Sequence, residues 1–209
     1  MRLFLSLSLL ITCTLNVSAQ NFEGKLVYQN NFKSKSDAVP DEMLSEMLGS
    51  AMNYYIKENQ YKTESNGKMV QWQIYNPTEK KLYTKMSNSE SIFWNDVTVF
   101  DDEILSSETN KAVTEVLGYV CDEIIFKTKD GIQKFYYNSK LAIDPKLYTD
   151  HKYSLWSDFV SRSGALPLKI IIESAEFTME STVIEIKPMA VETKFFVLPE
   201  GLKAEKSPF

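Results

Sequence analysis

Hydrophobic positions along this chain recur with a period of two. Phe22, Leu26 and Tyr28, with Gly24 between them, fall on one side of an extended segment, and Glu23, Lys25 and Gln29 fall on the other. Val70, Trp72 and Ile74 alternate with Gln71 and Gln73. Leu168, Ile170 and Ile172 alternate with Lys169 and Glu173, and Thr182, Ile184 and Ile186 with Glu185 and Lys187. Successive side chains of a strand point to opposite faces, so this alternation predicts strands with one face on a core and one in water, as in antiparallel sheets. Ser65-Asn66-Gly67 and Asn76-Pro77 punctuate the runs. Asp130-Gly131 predicts a two-residue hairpin turn with positive φ at both positions. About nine or ten strands follow from the pattern.

Two segments depart from it. Over 39–52, Pro40 suits a first helical position, Met43, Leu44, Met47 and Leu48 repeat at helical spacing, and Gly49 is a stop signal. Over 150–160, Tyr153, Trp156, Phe159 and Val160 form a short apolar stripe. A third helical turn is expected at 108–116. The fold class expected is therefore α+β: a large curved antiparallel sheet with two or three short helices on its concave side, in one domain over 20–209.

The start of the chain has the order of a secretory leader: Arg2, an apolar run over 3–15, and the small-residue site Val17-Ser18-Ala19. Cleavage after Ala19 gives a signal peptide over 1–19 and a periplasmic or extracellular protein. Lipidation at Cys13, after Leu10-Ile11-Thr12, is the alternative. With 23 basic and 28 acidic residues the chain carries −5, and loss of Arg2 with the leader makes it −6. That balance, without a Lys/Arg cluster, argues against a nucleic-acid partner.

The same residues are poor in chemistry. His151 is the single histidine, which excludes a His-rich metal site. Asp150, Ser154 and Ser157 are its neighbours in sequence only, whereas a triad is assembled from separated loops. Asp122 and Glu123 point to opposite faces of a strand, and Asp101-Asp102-Glu103 has the character of a solvated loop. The glycines form no phosphate-binding motif. Cys121, the single cysteine after the leader, rules out a disulfide framework. A small buried core residue is its expected role, with an intermolecular disulfide as the rival. No catalytic activity, cofactor or metal is expected. What stands out is apolar surface. Met43 and Met47 on the first helix, Trp72 and Trp94 on strands, Phe135 and Tyr137 on another strand, and Trp156 on the second helix are candidates to line an apolar cavity. The alternative is a fully packed core whose partner docks on an exposed edge strand.

The segment "LGYVCDEIIFKTKDGIQKFYYN" resembles the Leu-Gly-Tyr-x-Cys block of secreted proteins of Gram-negative bacteria of the GLPGLI type. "FEGKLVYQ" is similar to that family's first strand, "GALPLKIIIE" to its Gly-x-Leu-Pro segment with Ala165 in place of Leu, and "FFVLPEGLK" to the close of related secreted domains. The wider group resembles the half-barrel of the lipoprotein carriers LolA and LolB. The resemblance implies a curved sheet plugged by helices and a non-catalytic role in binding an acyl or lipid-like ligand. Its partners would be that hydrophobic ligand or an envelope protein, with room for peripheral membrane contact.

Overall fold

The computed structural model describes residues 21–208 apart from 101, so the leader over 1–19 and Cys13 lie outside the described residues. Among the described residues twelve strands form one sheet. They are β1 (Gly24–Ser34), β2 (Ala51–Lys57), β3 (Gln60–Ser65), β4 (Val70–Asn76), β5 (Lys81–Met86), β6 (Ile92–Asp96), β7 (Ile104–Val116), β8 (Tyr119–Thr128), β9 (Ile132–Ala142), β10 (Ala165–Glu173), β11 (Phe177–Pro188) and β12 (Ala204–Lys206). The order across the sheet is β12-β6-β5-β4-β3-β2-β1-β11-β10-β9-β8-β7. Neighbours are antiparallel except β12, which runs parallel to β6. The α-helices are α1 (Asp41–Leu48) and α2 (Trp156–Ser163).

The expected α+β class is corrected by this count: two helices of eight residues each accompany a twelve-stranded open sheet. Part of the reason lies at 108–116. That stretch is polar, contains Thr109, Val113 and Thr114, and extends as β7 rather than coiling into a helical turn. β-branched residues favour the pleated chain. β7 and β8 are joined at Leu117-Gly118, both with positive φ (50° and 81°), the geometry of a tight hairpin turn. At the second hairpin, Lys127 pairs with Ile132 and the Thr128 amide donates to the Gly131 carbonyl at 2.9 Å. The turn residues are thus Lys129 and Asp130, and neither has positive φ. Gly131 is required for another reason: a Cβ there would lie 1.9 Å from the Glu173 carbonyl oxygen at the end of β10.

The sheet is strongly curved. Tyr61 on β3 and Phe135 on β9 are five strand spacings apart, which is about 24 Å in a flat sheet. Yet three ring-to-ring steps join them: Tyr61 to Trp156 at 6.2 Å, Trp156 to Phe159 at 5.9 Å, and Phe159 to Phe135 at 4.6 Å. The sheet therefore curls around the segment 145–163, which comprises two 3-10 turns (Pro145–Tyr148 and Tyr153–Leu155) and α2. α2 presents Phe159 and Val160, both fully buried, to the concave face. Ile124, Phe126, Phe135, Tyr137, Leu166 and Leu168 belong to the same core.

α1 does not share that position. It has no buried residue and lies by β1 and the loop before β4, where the Asp41 carboxylate accepts from the Ser34 amide and from Lys33. Met43 and Met47 are 47% and 37% exposed. Their helical spacing gives α1 an apolar stripe, but the helix lies against β1 without burying any of its own residues. The outer face of the sheet has its own cover. Thr193–Phe196 lays Phe195 on Tyr55, with the Lys62 ammonium 4.2 Å from the Phe195 ring.

Candidate functional site

Cross-strand pairing decides what faces inward. Tyr61 pairs with Tyr75, and Tyr75 with Leu82; Thr63 pairs with Gln73, and Gln73 with Thr84. These residues share the concave face with Tyr28 and Tyr54 from β1 and β2. The result is a stack of tyrosines across four strands: Tyr28 meets Tyr54 edge-on at 6.4 Å, Tyr54 stacks on Tyr61 at 5.3 Å, and Tyr61 on Tyr75 at 5.3 Å. Trp156 of α2 lies over it, 6.4 Å from Tyr54 and 6.2 Å from Tyr61. Between them remains an apolar-walled cavity of about 250 Å³, completed by Met52, Leu82, Pro167 and Ile170, with Ser154 exposed at its rim.

Some polar groups in this wall are paired and some are not. The Tyr28 hydroxyl donates to the Pro167 carbonyl at 2.7 Å, and Tyr148 donates to the Glu58 carbonyl at 2.9 Å. The Tyr61 hydroxyl and His151 Nε2 are hydrogen-bonded at 2.8 Å. His151 is 2% exposed and its ring lies 4.5 Å from Tyr75. Burial pushes its pKa down from 6.5 to about 4, so the imidazole is neutral at pH 7. The Tyr54 hydroxyl, Trp156 Nε1 and His151 Nδ1 are buried without a hydrogen-bond partner, an arrangement that carries a desolvation cost. His151 reaches the cavity because Lys152 and Tyr153 donate their amides to the Val97 carbonyl, which ties 151–153 to the loop after β6.

The same segment is strained. Ser154 (φ 53°, ψ 33°) and Leu155 (φ 60°, ψ 20°) are consecutive left-handed residues without being glycine. Each such residue costs about 1–2 kcal/mol. Leu155 is buried and anchored, whereas Ser154 stands at the rim. Ser154→Gly should therefore stabilise the protein by about 0.5–1 kcal/mol, the relief of strain less the freedom glycine adds to the unfolded chain. Urea unfolding of the variant beside wild type checks this.

A second hollow of about 800 Å³ lies toward β6 and β12, and Gln73 and Tyr153 line it as well as the first. It is bordered by Asp96, Asp102, Asp130 and Lys206. Asp102 Oδ1 accepts from the Asp130 amide at 3.2 Å, and Asp96 is held below the usual carboxylate range by hydrogen bonds from Thr98. Gln73 donates to Thr84 Oγ1 at 3.1 Å along its floor.

The sequence-expected residues are dispersed. Trp156 lines the inner cavity. Phe135 and Tyr137 are buried in contact with Phe159, inside the packed core beneath α2. Trp72 pairs with Glu64 and sits beside Ile74 on the outer face, because the β3–β4 register turns the tyrosines inward. Trp94 pairs with Tyr83 and borders the larger hollow, and its ring lies 4.3 Å from the Lys81 ammonium. Met43 and Met47 lie on α1, away from the cavity. Tyr28, Tyr54, Tyr61, Tyr75 and His151 were not among the residues expected to line the cavity. A signal was present in tyrosines recurring once per strand, but the alternation at Val70–Trp72–Ile74 selected the wrong face of β4. Cys121 is fully buried, and its thiol donates to the Tyr119 carbonyl at 3.2 Å. Burial pushes its pKa up, away from the reactive thiolate. Among the described residues no cluster of His, Cys, Asp or Glu has the makings of a metal site, and no helix is long and apolar enough to cross a membrane.

No protein-family model and no curated protein matches this sequence. Among solved structures the chain is similar to PNGF-II in its P21 crystal form, at 12% identity over 89% of this chain with a TM-score of 0.48. It is similar to the C2 form at 11% identity and a TM-score of 0.43. It spans about a third of PNGF-II, covering 32% of that chain. LprF from Mycobacterium bovis is similar at 7% identity and a TM-score of 0.30, over 80% of this chain and 89% of that one.

Proposed function

We propose that this protein binds a small hydrophobic ligand in the concave cavity and carries out no chemistry on it. The tyrosine-lined hollow under Trp156 carries the reading: its wall is mainly aromatic and aliphatic, and its one histidine is neutral, with Nε2 bonded to the Tyr61 hydroxyl. Such a wall takes an apolar group out of water with a gain of about 25 cal/mol per Å² buried. The volume sets a limit. About 250 Å³ is below the usual ~300–1,000 Å³ of pockets for drug-sized ligands, so the cavity takes one short chain or one ring. Strained Ser154 at the rim suits a segment that shifts when the ligand enters. The setting fits an envelope carrier or sensor, in keeping with the leader expected over 1–19.

The test is direct. Protein purified from its own host is extracted with organic solvent and the extract examined by mass spectrometry, and the stripped protein is melted with and without short-chain fatty acids and alcohols. A recovered apolar molecule, or a rise in Tm of a few degrees, supports the reading. A clean extract together with an unchanged Tm defeats it.

A second reading has one observation in its favour. β7 is a thirteen-residue edge strand with Leu105 61% and Val113 44% exposed, a surface suited to pairing with a strand of an envelope protein.

A further inference from the structure

We infer that the segment His151–Ser154 is an acid-operated gate over the cavity: a proton on His151 releases the segment from the wall and lets a guest in or out. The gate rests on the binding site proposed above and adds its control, and its main test needs no guest. His151, Tyr153 and Ser154 all line the cavity, so the segment is part of its wall. Only His151 is buried; Tyr153 is half-buried, and Lys152 and Ser154 are exposed. One ring therefore anchors the segment. Its backbone ties are few. The Lys152 and Tyr153 amides share the Val97 carbonyl at 2.6 and 3.2 Å, and the Ser157 amide donates to the His151 carbonyl at 2.8 Å. Ser154 holds left-handed strain that opening relieves. Lys152 also borders a separate hollow of about 430 Å³ with Thr98 and Phe100, which leaves space beside the segment.

The surroundings of the ring make a proton there costly. Tyr61 of β3, Tyr75 of β4 and Trp156 of α2 pack against it, with ring centroids 5.7, 4.5 and 6.3 Å away. Tyr61, Tyr75 and, stacked on Tyr75, Tyr148 are phenols whose burial pushes their pKa values up, so they stay neutral in acid and supply no counter-charge. Among the described residues no carboxylate forms an ion pair with the ring. Asp150, the neighbour in sequence, is exposed and paired with Lys80 at 2.8 Å. Asp96 before Val97 and Asp158 on α2 do not line the cavity. The carbonyls of His151 and Tyr153 favour a proton on the ring, but burial outweighs them. An imidazolium without a counter-ion is better placed in water. Turning 151–154 outward puts it there without unfolding the sheet.

Hydrogen exchange of the Lys152 and Tyr153 amides reads the opening, since the Val97 carbonyl holds both. The closed ring titrates at about 4 and an open one near ~6.5. Protection of the two amides, corrected for intrinsic exchange, should therefore fall about twentyfold from pH 7 to pH 5. The fall should be insensitive to dilute urea, while amides in the middle of β8 stay far better protected. His151→Gln should abolish the pH dependence. Ser154→Gly, which relieves strain and leaves the ring in place, should raise protection at both pH values and keep the fall. Bound 1-octanol, its exchange followed by NMR, should leave wild type about twentyfold faster at pH 5 than at pH 7. Protection that ignores pH, a fall that persists in His151→Gln, or exchange with the urea dependence of the β8 amides overturns the gate. Release of 1-octanol at a rate that ignores pH overturns it too. Absence of 1-octanol binding at pH 7 counts instead against the apolar-ligand reading, and the amide exchange still decides whether the segment opens in acid.

Discussion

Phe159→Ala is expected to destabilise the protein by about 3–5 kcal/mol. Phe159 is fully buried, stacks on Phe135 at 4.6 Å and 21°, and meets Tyr137 and Trp156 at 6.0 and 5.9 Å. It is the link through which the two arms of the sheet reach each other: β9 on one side, and on the other, by way of Trp156, β2 and β3. Truncation removes an aromatic side chain and leaves a void that rigid neighbouring strands cannot close. Met43→Ala is the contrast. Met43 is 47% exposed on α1, and its loss should change stability by less than about 0.5 kcal/mol. Urea unfolding of both variants measures the difference. Equal effects would mean that α2 does not hold the curl.

The second large effect is acid destabilisation through His151. Burial holds the folded imidazole near pKa 4 against 6.5 in the unfolded chain. Above pH 6.5 both states are neutral and stability is complete. Between 6.5 and about 4 the unfolded chain takes up a proton that the folded protein refuses, so acid draws the equilibrium toward unfolding. Below about 4 both states are charged and this loss stops growing. Its full extent is about 3 kcal/mol. His151→Gln keeps a side chain able to hydrogen-bond the Tyr61 hydroxyl but does not titrate in this range. The stability gap between wild type and His151→Gln should therefore move by about 3 kcal/mol in favour of the variant from pH 7 to pH 4, while carboxylate titration common to both cancels. A gap that stays constant with pH would show that the histidine is solvated.

Much of the sheet was legible because period two is a direct consequence of strand geometry, and Leu26, Tyr28, Leu168 and Asp130-Gly131 marked strands and a hairpin that form. The helical share was overstated. Met43, Leu44, Met47 and Leu48 do make a helix, but periodicity reports an apolar stripe and not whether that stripe is buried. The Leu117-Gly118 turn was hidden because leucine is an unusual residue at positive φ. The cavity was legible only in kind. Alternation says that a strand has two faces, whereas the face that turns inward is set by register with neighbours far along the chain, as Tyr61–Tyr75 sets it for β4. Trp156 was found because it lies on a helix with a single apolar side. The tyrosine stack needs β1 to β4 assembled side by side, and His151 depends on the Val97 carbonyl that receives the next two amides.

The central claim is that the hollow beneath Trp156 takes an apolar guest. Calorimetric titration of 1-octanol into wild type and Ile170→Trp, a substitution that places a large ring into that hollow from β10, tests it most directly. Saturable binding to wild type that disappears in a folded Ile170→Trp is the predicted result. Undiminished binding in the variant, or none in wild type, would contradict it.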